Sequence, residues 1–173
     1  MHLFPELNRM KICHLAVRAF IVFALLAFTT SCGRKPANAG TSAAPPAHEH
    51  KSPHGGTAVV LGEETYHIEL VLDASTGTLQ AFVLDGEMET FIRTAASDLV
   101  IETTINGKPE TLELKATANS ATGEVVGDTA LFETRADWLK TTREFDGTLK
   151  TITIRGTTFT DVKFNFPKGN EHD

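Results

Sequence analysis

From Thr57 onward, apolar residues recur at every second position in short runs, the period of a strand with one face in a core. Tyr66–Asp73 (YHIELVLD) shows it best: Tyr66, Ile68, Leu70 and Leu72 fall on one face, with His67, Glu69, Val71 and Asp73 on the other. Similar runs occupy Thr57–Leu61, Thr78–Leu84, Leu99–Ile105, Glu110–Ala116, Gly147–Arg155 and Thr158–Phe166. Turn residues punctuate them: Gly62, Ser75-Thr76-Gly77, Asp85-Gly86, Asn106-Gly107 and Gly156. Asp-Gly and Asn-Gly pairs are strong hairpin signals, because their backbones readily take the left-handed turn conformation. Phe91–Arg93 reads as a short edge piece. Ala130–Glu144 is less regular; Leu131, Phe132, Trp138 and Leu139 are expected to cap one end of the core, with one helical turn within Ala136–Thr142.

This spacing predicts an all-β domain: a single immunoglobulin-like β-sandwich of about seven or eight strands, with a small open barrel as the alternative. Ile68, Leu70, Leu72, Phe82, Leu84, Ile152, Ile154, Phe164 and Phe166 are expected in its core.

The first 31 residues read differently. Basic Arg9, Lys11 and Arg18 precede an apolar run, Phe20–Phe28 (FIVFALLAF), too short for a lasting transmembrane anchor. This is the layout of a signal peptide, and Met10 offers a second start. Thr29-Thr30-Ser31-Cys32 follows and resembles a bacterial lipobox, with Thr29 where leucine is preferred. Residues 1–31 are therefore expected to be removed and Cys32 lipidated. Pro36-Ala37-Asn38-Ala39 holds a competing A-x-A cleavage pattern that would release a soluble chain. Residues 32–53 are expected to be the lipidated cysteine and a flexible Pro/Ala/Gly/Ser-rich linker, 54–168 the β domain and 169–173 a disordered tail. The expected location is the periplasmic side of a bacterial envelope. Gly33, rather than Asp, after Cys32 favours the outer membrane under the sorting rule of some bacteria.

Composition narrows the partners and the chemistry. The 173 residues carry a formal charge of −6, which gives no footprint for nucleic acid. The two cysteines are Cys13, in the leader, and Cys32, so the mature domain has no disulfide and no thiol nucleophile. There is no G-x-S-x-G elbow, P-loop or H-E-x-x-H, and the paired carboxylates Glu63-Glu64 and Glu87–Glu89 sit beside turn glycines, where solvated faces are the rule. A non-enzymatic role is expected.

One stretch stands out. His48-Glu49-His50-Lys51-Ser52-Pro53-His54-Gly55-Gly56 gathers three imidazoles and a carboxylate just after the linker. His67 and Glu69, two apart on a strand, project from the same face. Imidazole and carboxylate without thiolate suit a divalent transition metal: Zn²⁺, Cu²⁺, Ni²⁺ or Co²⁺. The candidate ligands are His48, His50, His54, His67 and Glu69. If Thr57–Leu61 pairs with Tyr66–Asp73, His54 lies beyond the far end of that hairpin and approaches Glu69–Asp73 rather than His67. His172 is a further imidazole near the end of the chain. The competing reading is a weakly binding histidine-rich linker.

The succession His48-x-His50…Pro53-His54-Gly55-Gly56, Leu61-Gly62, Tyr66-His67-x-Glu69-Leu70, Asp73…Thr76-Gly77 and Leu84-Asp85 resembles a group of small bacterial envelope proteins that share this opening motif. Related segments accompany adaptor subunits of heavy-metal efflux systems. The resemblance spans roughly residues 48–166 and is most specific up to Leu84. It implies a periplasm-facing β domain linked to metal, with His48, His50, His54, His67 and Glu69 matching the shared pattern, and an accessory or buffering role in metal homeostasis or efflux. The alternative role is a non-catalytic module that docks another envelope protein without specific metal.

Overall fold

The computed structural model describes residues 50–171. The leader, Cys32, the linker with His48, and His172 lie outside the described residues. The domain is all-β. Among the described residues the strands are β1 (Thr57–Leu61), β2 (Tyr66–Asp73), β3 (Thr78–Asp85), β4 (Asp98–Ile105), β5 (Lys108–Ala116), β6 (Leu131–Arg135), β7 (Phe145–Ile154) and β8 (Thr157–Phe166), with one 3-10 turn at Asp137–Lys140.

All eight strands form one antiparallel sheet, in the order β1-β2-β3-β6-β5-β4-β7-β8. The expected two-layer immunoglobulin-like sandwich is thereby corrected to a nearly closed, barrel-like sheet. The reason is β6. It pairs with β3 from Thr78↔Arg135 to Phe82↔Leu131, and with β5 through Lys115↔Glu133 and Ala116↔Phe132. That strand splices the β1–β3 meander to the β4, β5, β7, β8 group, which would otherwise be two sheets. Its sequence, LFETR, has too few apolar alternations to announce a strand.

Inside the curved sheet lie Ile68 and Leu70 from β2, Leu79, Ala81 and Val83 from β3, Leu99 and Ile101 from β4, and Leu112 and Leu114 from β5. In β7 the buried positions change phase, from Phe145, Gly147 and Leu149 to Ile152 and Ile154. The switch falls where the β7–β8 ladder skips Lys150 and Asp161, with Asp161 at φ +50°. Such an interruption re-aims the side chains on both strands. Gly147 is required where it is, because an added Cβ would lie 2.5 Å from the ring of Phe164.

Of the expected core residues, Ile68, Leu70, Ile152, Ile154, Phe164 and Phe166 are buried inside the barrel, and Leu72 packs against them half-buried. Leu84 is fully buried as well, whereas Phe82 is only half-buried. Both faces of TLQAFVL are apolar, so alternation alone does not choose between them. The interior takes Leu79, Ala81 and Val83, while Leu84 is covered outside, where it bridges to Phe91, and Phe82 stays half-buried.

The seam between β1 and β8 is closed by side chain. Val60 N–H donates to Asn170 Oδ1 at 2.7 Å, and Asn170 Nδ2 donates to the Val60 carbonyl at 3.2 Å. The Asn170 amide thus stands in for a residue of a neighbouring strand. Gly169, at φ +79°, lies against the Ala58 carbonyl with no room for a Cβ. Packing therefore extends past the expected domain limits at both ends: His50–Pro53 and Gly169–Asn170 belong to the fold. Asn170→Ala should cost about 2 kcal/mol, since it strips two hydrogen bonds from a partly buried backbone. A shifted denaturation midpoint with faster amide exchange at Val60 would register it; unchanged exchange at Val60 would mean the seam is held by other contacts.

Candidate metal centre

The segment His50–Gly56 folds back over the outer face of β2 as a strap. A turn closes from Gly55 N–H to the Ser52 carbonyl (3.1 Å), with Gly55 at φ +69°. Gly56 then lies flat on the sheet; a Cβ there would sit 2.5 Å from the Leu70 carbonyl oxygen. Only the Gly-Gly pair allows the chain to turn and press so close before β1 begins.

Glu69 fastens the strap. Its carboxylate is fully buried, and Oε1 accepts the His54 and Gly56 backbone N–H groups at 2.8 and 2.9 Å. Oε2 takes the His54 Nδ1–H at 2.8 Å. The His54 ring stacks on Phe82, centroids 4.1 Å apart, and borders Phe91. Both oxygens of Glu69 are thus engaged in holding backbone and ring, which is the work of a latch.

His50 and His67 form a second pair. Their ring centroids lie 4.9 Å apart, inclined at 54°. His67 is fully buried, and its Nδ1 lies 3.3 Å from the Asp85 carbonyl. A carbonyl only accepts, so Nδ1 carries the proton and Nε2 presents a lone pair. Burial is the main influence on His67 and holds its pKa below the ordinary imidazole value, which keeps it neutral. His67 Nε2 and His50 Nε2 are both buried with no hydrogen-bond partner among the described residues. Buried polar atoms are rarely left so, and two of them at adjacent rings is a specific anomaly.

Carboxylates stand beside them. Glu64, at φ +56° in the β1–β2 turn, brings Oε2 to 3.9 Å from His50 Nε2. Gly86, in the next turn, leaves room for the Glu64 carbonyl. Glu171 completes the group: ligand atoms of His50, Glu64 and Glu171 all lie within 4.8 Å of one another.

The structure therefore splits the sequence-derived ligand set. His54 meets Glu69, and His50 meets His67. His67 and Glu69 thus share a face of β2 but have different partners on the strap. His48 lies outside the described residues. Glu64 and Glu171 escaped the sequence reading. Glu64 sits in a turn where solvated acids are common, and Glu171 reaches the site only because Asn170 docks on Val60, 110 residues away in sequence.

No family model matches the chain, and neither a curated protein nor a solved structure gives a significant match.

Proposed function

We propose that this protein is an envelope lipoprotein that binds a divalent transition metal through its histidine-rich strap, as an accessory or buffer in metal homeostasis or efflux. The observation that supports this most is the pair of buried, unpartnered imidazole nitrogens on His50 and His67. A buried ring nitrogen with no hydrogen-bond partner among the described residues is costly, and on His67, whose Nδ1 carries the proton, it is a lone pair that a cation can use. The donor set of imidazole with nearby carboxylate favours Zn²⁺, Cu²⁺, Ni²⁺ or Co²⁺ over Mg²⁺ or Ca²⁺. Lipid on Cys32 and the small-residue linker would hold the head off the membrane by ~20 Å. No catalytic step is assigned.

Calorimetric titration with Zn²⁺, Cu²⁺ and Ni²⁺ tests the reading. His50→Ala and His67→Ala should each weaken binding at least tenfold, or ~1.4 kcal/mol. A synthetic peptide spanning His48–Gly56 should bind more weakly than the folded protein, because it lacks His67 and must order itself on binding. Affinity no tighter than ~100 μM, about −5.5 kcal/mol, would remove the metal reading.

A second reading has its own support. Phe91 is 44 % exposed and borders a groove of about 470 Å³ shared with Phe82, His54 and Leu131. An apolar groove with an exposed aromatic suits docking of an envelope protein, and this becomes the better account if metal does not bind.

A further inference from the structure

We propose that the metal site is completed by Glu64 and Glu171, and that the bound ion staples the seam of the barrel. This rests on the metal reading above and extends it to how the site acts on the fold. Three candidate ligands come from three separate places: His50 from the strap, Glu64 from the β1–β2 turn and Glu171 from the segment after β8, and the ring of His67 from β2 lies beside that of His50, centroids 4.9 Å apart. The last of these follows Asn170, whose amide closes the β1–β8 seam.

The geometry is close to a coordination shell. Ligand atoms at 2.0–2.2 Å from a tetrahedral ion lie about 3.4 Å apart. His50 Nε2 and Glu64 Oε2 are 3.9 Å apart, and Glu171 is within 4.8 Å of both. A small inward movement of two exposed carboxylates brings them toward bonding range of an ion on His50, with the buried His67 ring beside it. Glu64 and Glu171 repel one another as like charges at this distance, and among the described residues no lysine or arginine forms a salt bridge with either. A dication reverses that repulsion. In the metal-free protein that repulsion weakens the docking of Asn170 and Glu171 beside the β1–β2 turn. In the metal-bound protein the same groups draw the tail onto it and hold the Asn170 amide against Val60. Metal occupancy thereby governs how firmly the barrel is shut.

Hydrogen exchange on the full chain, with and without Zn²⁺, separates the two layers of this proposal. Zn²⁺ should slow exchange at least tenfold at Val60 and across residues 165–171, and leave the β4–β5 hairpin, on the other side of the barrel, unchanged. Glu64→Gln with Glu171→Gln keeps the size of both side chains and should abolish the slowing at the seam while weaker binding through the histidines persists. If the wild type binds Zn²⁺ in the titration but the seam exchanges as before, the staple is wrong and the metal reading stands. The staple is equally overturned if the whole barrel slows together, or if the double variant keeps full seam protection. No Zn²⁺ binding by the wild type sinks both.

Discussion

Glu69→Ala is expected to release the strap from the barrel and to cost about 3 kcal/mol. Hydrogen bonds to a charged group are worth roughly 1.5–3 kcal/mol each, and removing the acceptor strands its donors. Two of those donors are the backbone N–H groups of His54 and Gly56, pressed against β2. The third, the His54 ring, is 40 % exposed and turns to water easily, so it adds little. Glu69→Gln keeps one acceptor oxygen and should lose less. Trypsin supplies a direct readout: Lys51 is exposed at the start of the strap, and cleavage there should accelerate in Glu69→Ala while β-sheet circular dichroism persists. Metal affinity should fall with it, since His50 is carried by the same segment. Unchanged cleavage and an unchanged melting temperature would show that the strap is held by something other than the carboxylate.

Phe132→Ala should be costlier, at about 3–5 kcal/mol. The ring is fully buried on β6. Its direct neighbours across the ladder are Ala81 on β3 and Ala116 on β5. One large ring thus fills the space that two alanines leave, and neither can expand when it is removed. The strand concerned is also the splice that makes one sheet of two groups. With no disulfide in the domain and total stabilities of about 5–15 kcal/mol typical, such a loss approaches the threshold of folding. Denaturation should show a lower midpoint at an unchanged slope. A loss below about 1 kcal/mol would mean the cavity collapses despite its alanine walls.

Most of the strands were legible because alternation and turn chemistry agreed. Tyr66–Asp73 carries a clean period of two, and Asp85-Gly86 and Asn106-Gly107 mark its kind of boundary. The closure was not legible. LFETR is a strand because β3 and β5 offer it edges on both sides, which is a property of the partners rather than of the five residues. The face of β3 was ambiguous because its outer side is covered too: the His54 ring stacks on Phe82, and Leu84 is buried beside Phe91. The same covering hid the meaning of Glu69. Alternation placed it outside, where a carboxylate is ordinarily solvated, yet the strap buries it completely. The histidine-rich stretch raised the expectation of metal binding by composition alone. Which histidine pairs with which depended on how far the Gly55-Gly56 turn lets the chain fold back, and the carboxylates depended on a contact across the whole length of the domain.

His50, in the strap before β1, and Glu171, in the segment after β8, have side-chain atoms within 4.8 Å of each other. The segments that enter and leave the barrel thus lie side by side. A unit built this way can be set into a surface loop of a host protein without prising the host's two halves apart, because the loop's stumps need be no farther apart than they already were. It also tolerates being cut elsewhere and rejoined. The Asn106-Gly107 turn is a natural place for new termini, since open space surrounds Gly107. A circular permutant opened there, with a short linker from Glu171 back to His50, keeps all eight strands and brings strap and tail into one continuous loop.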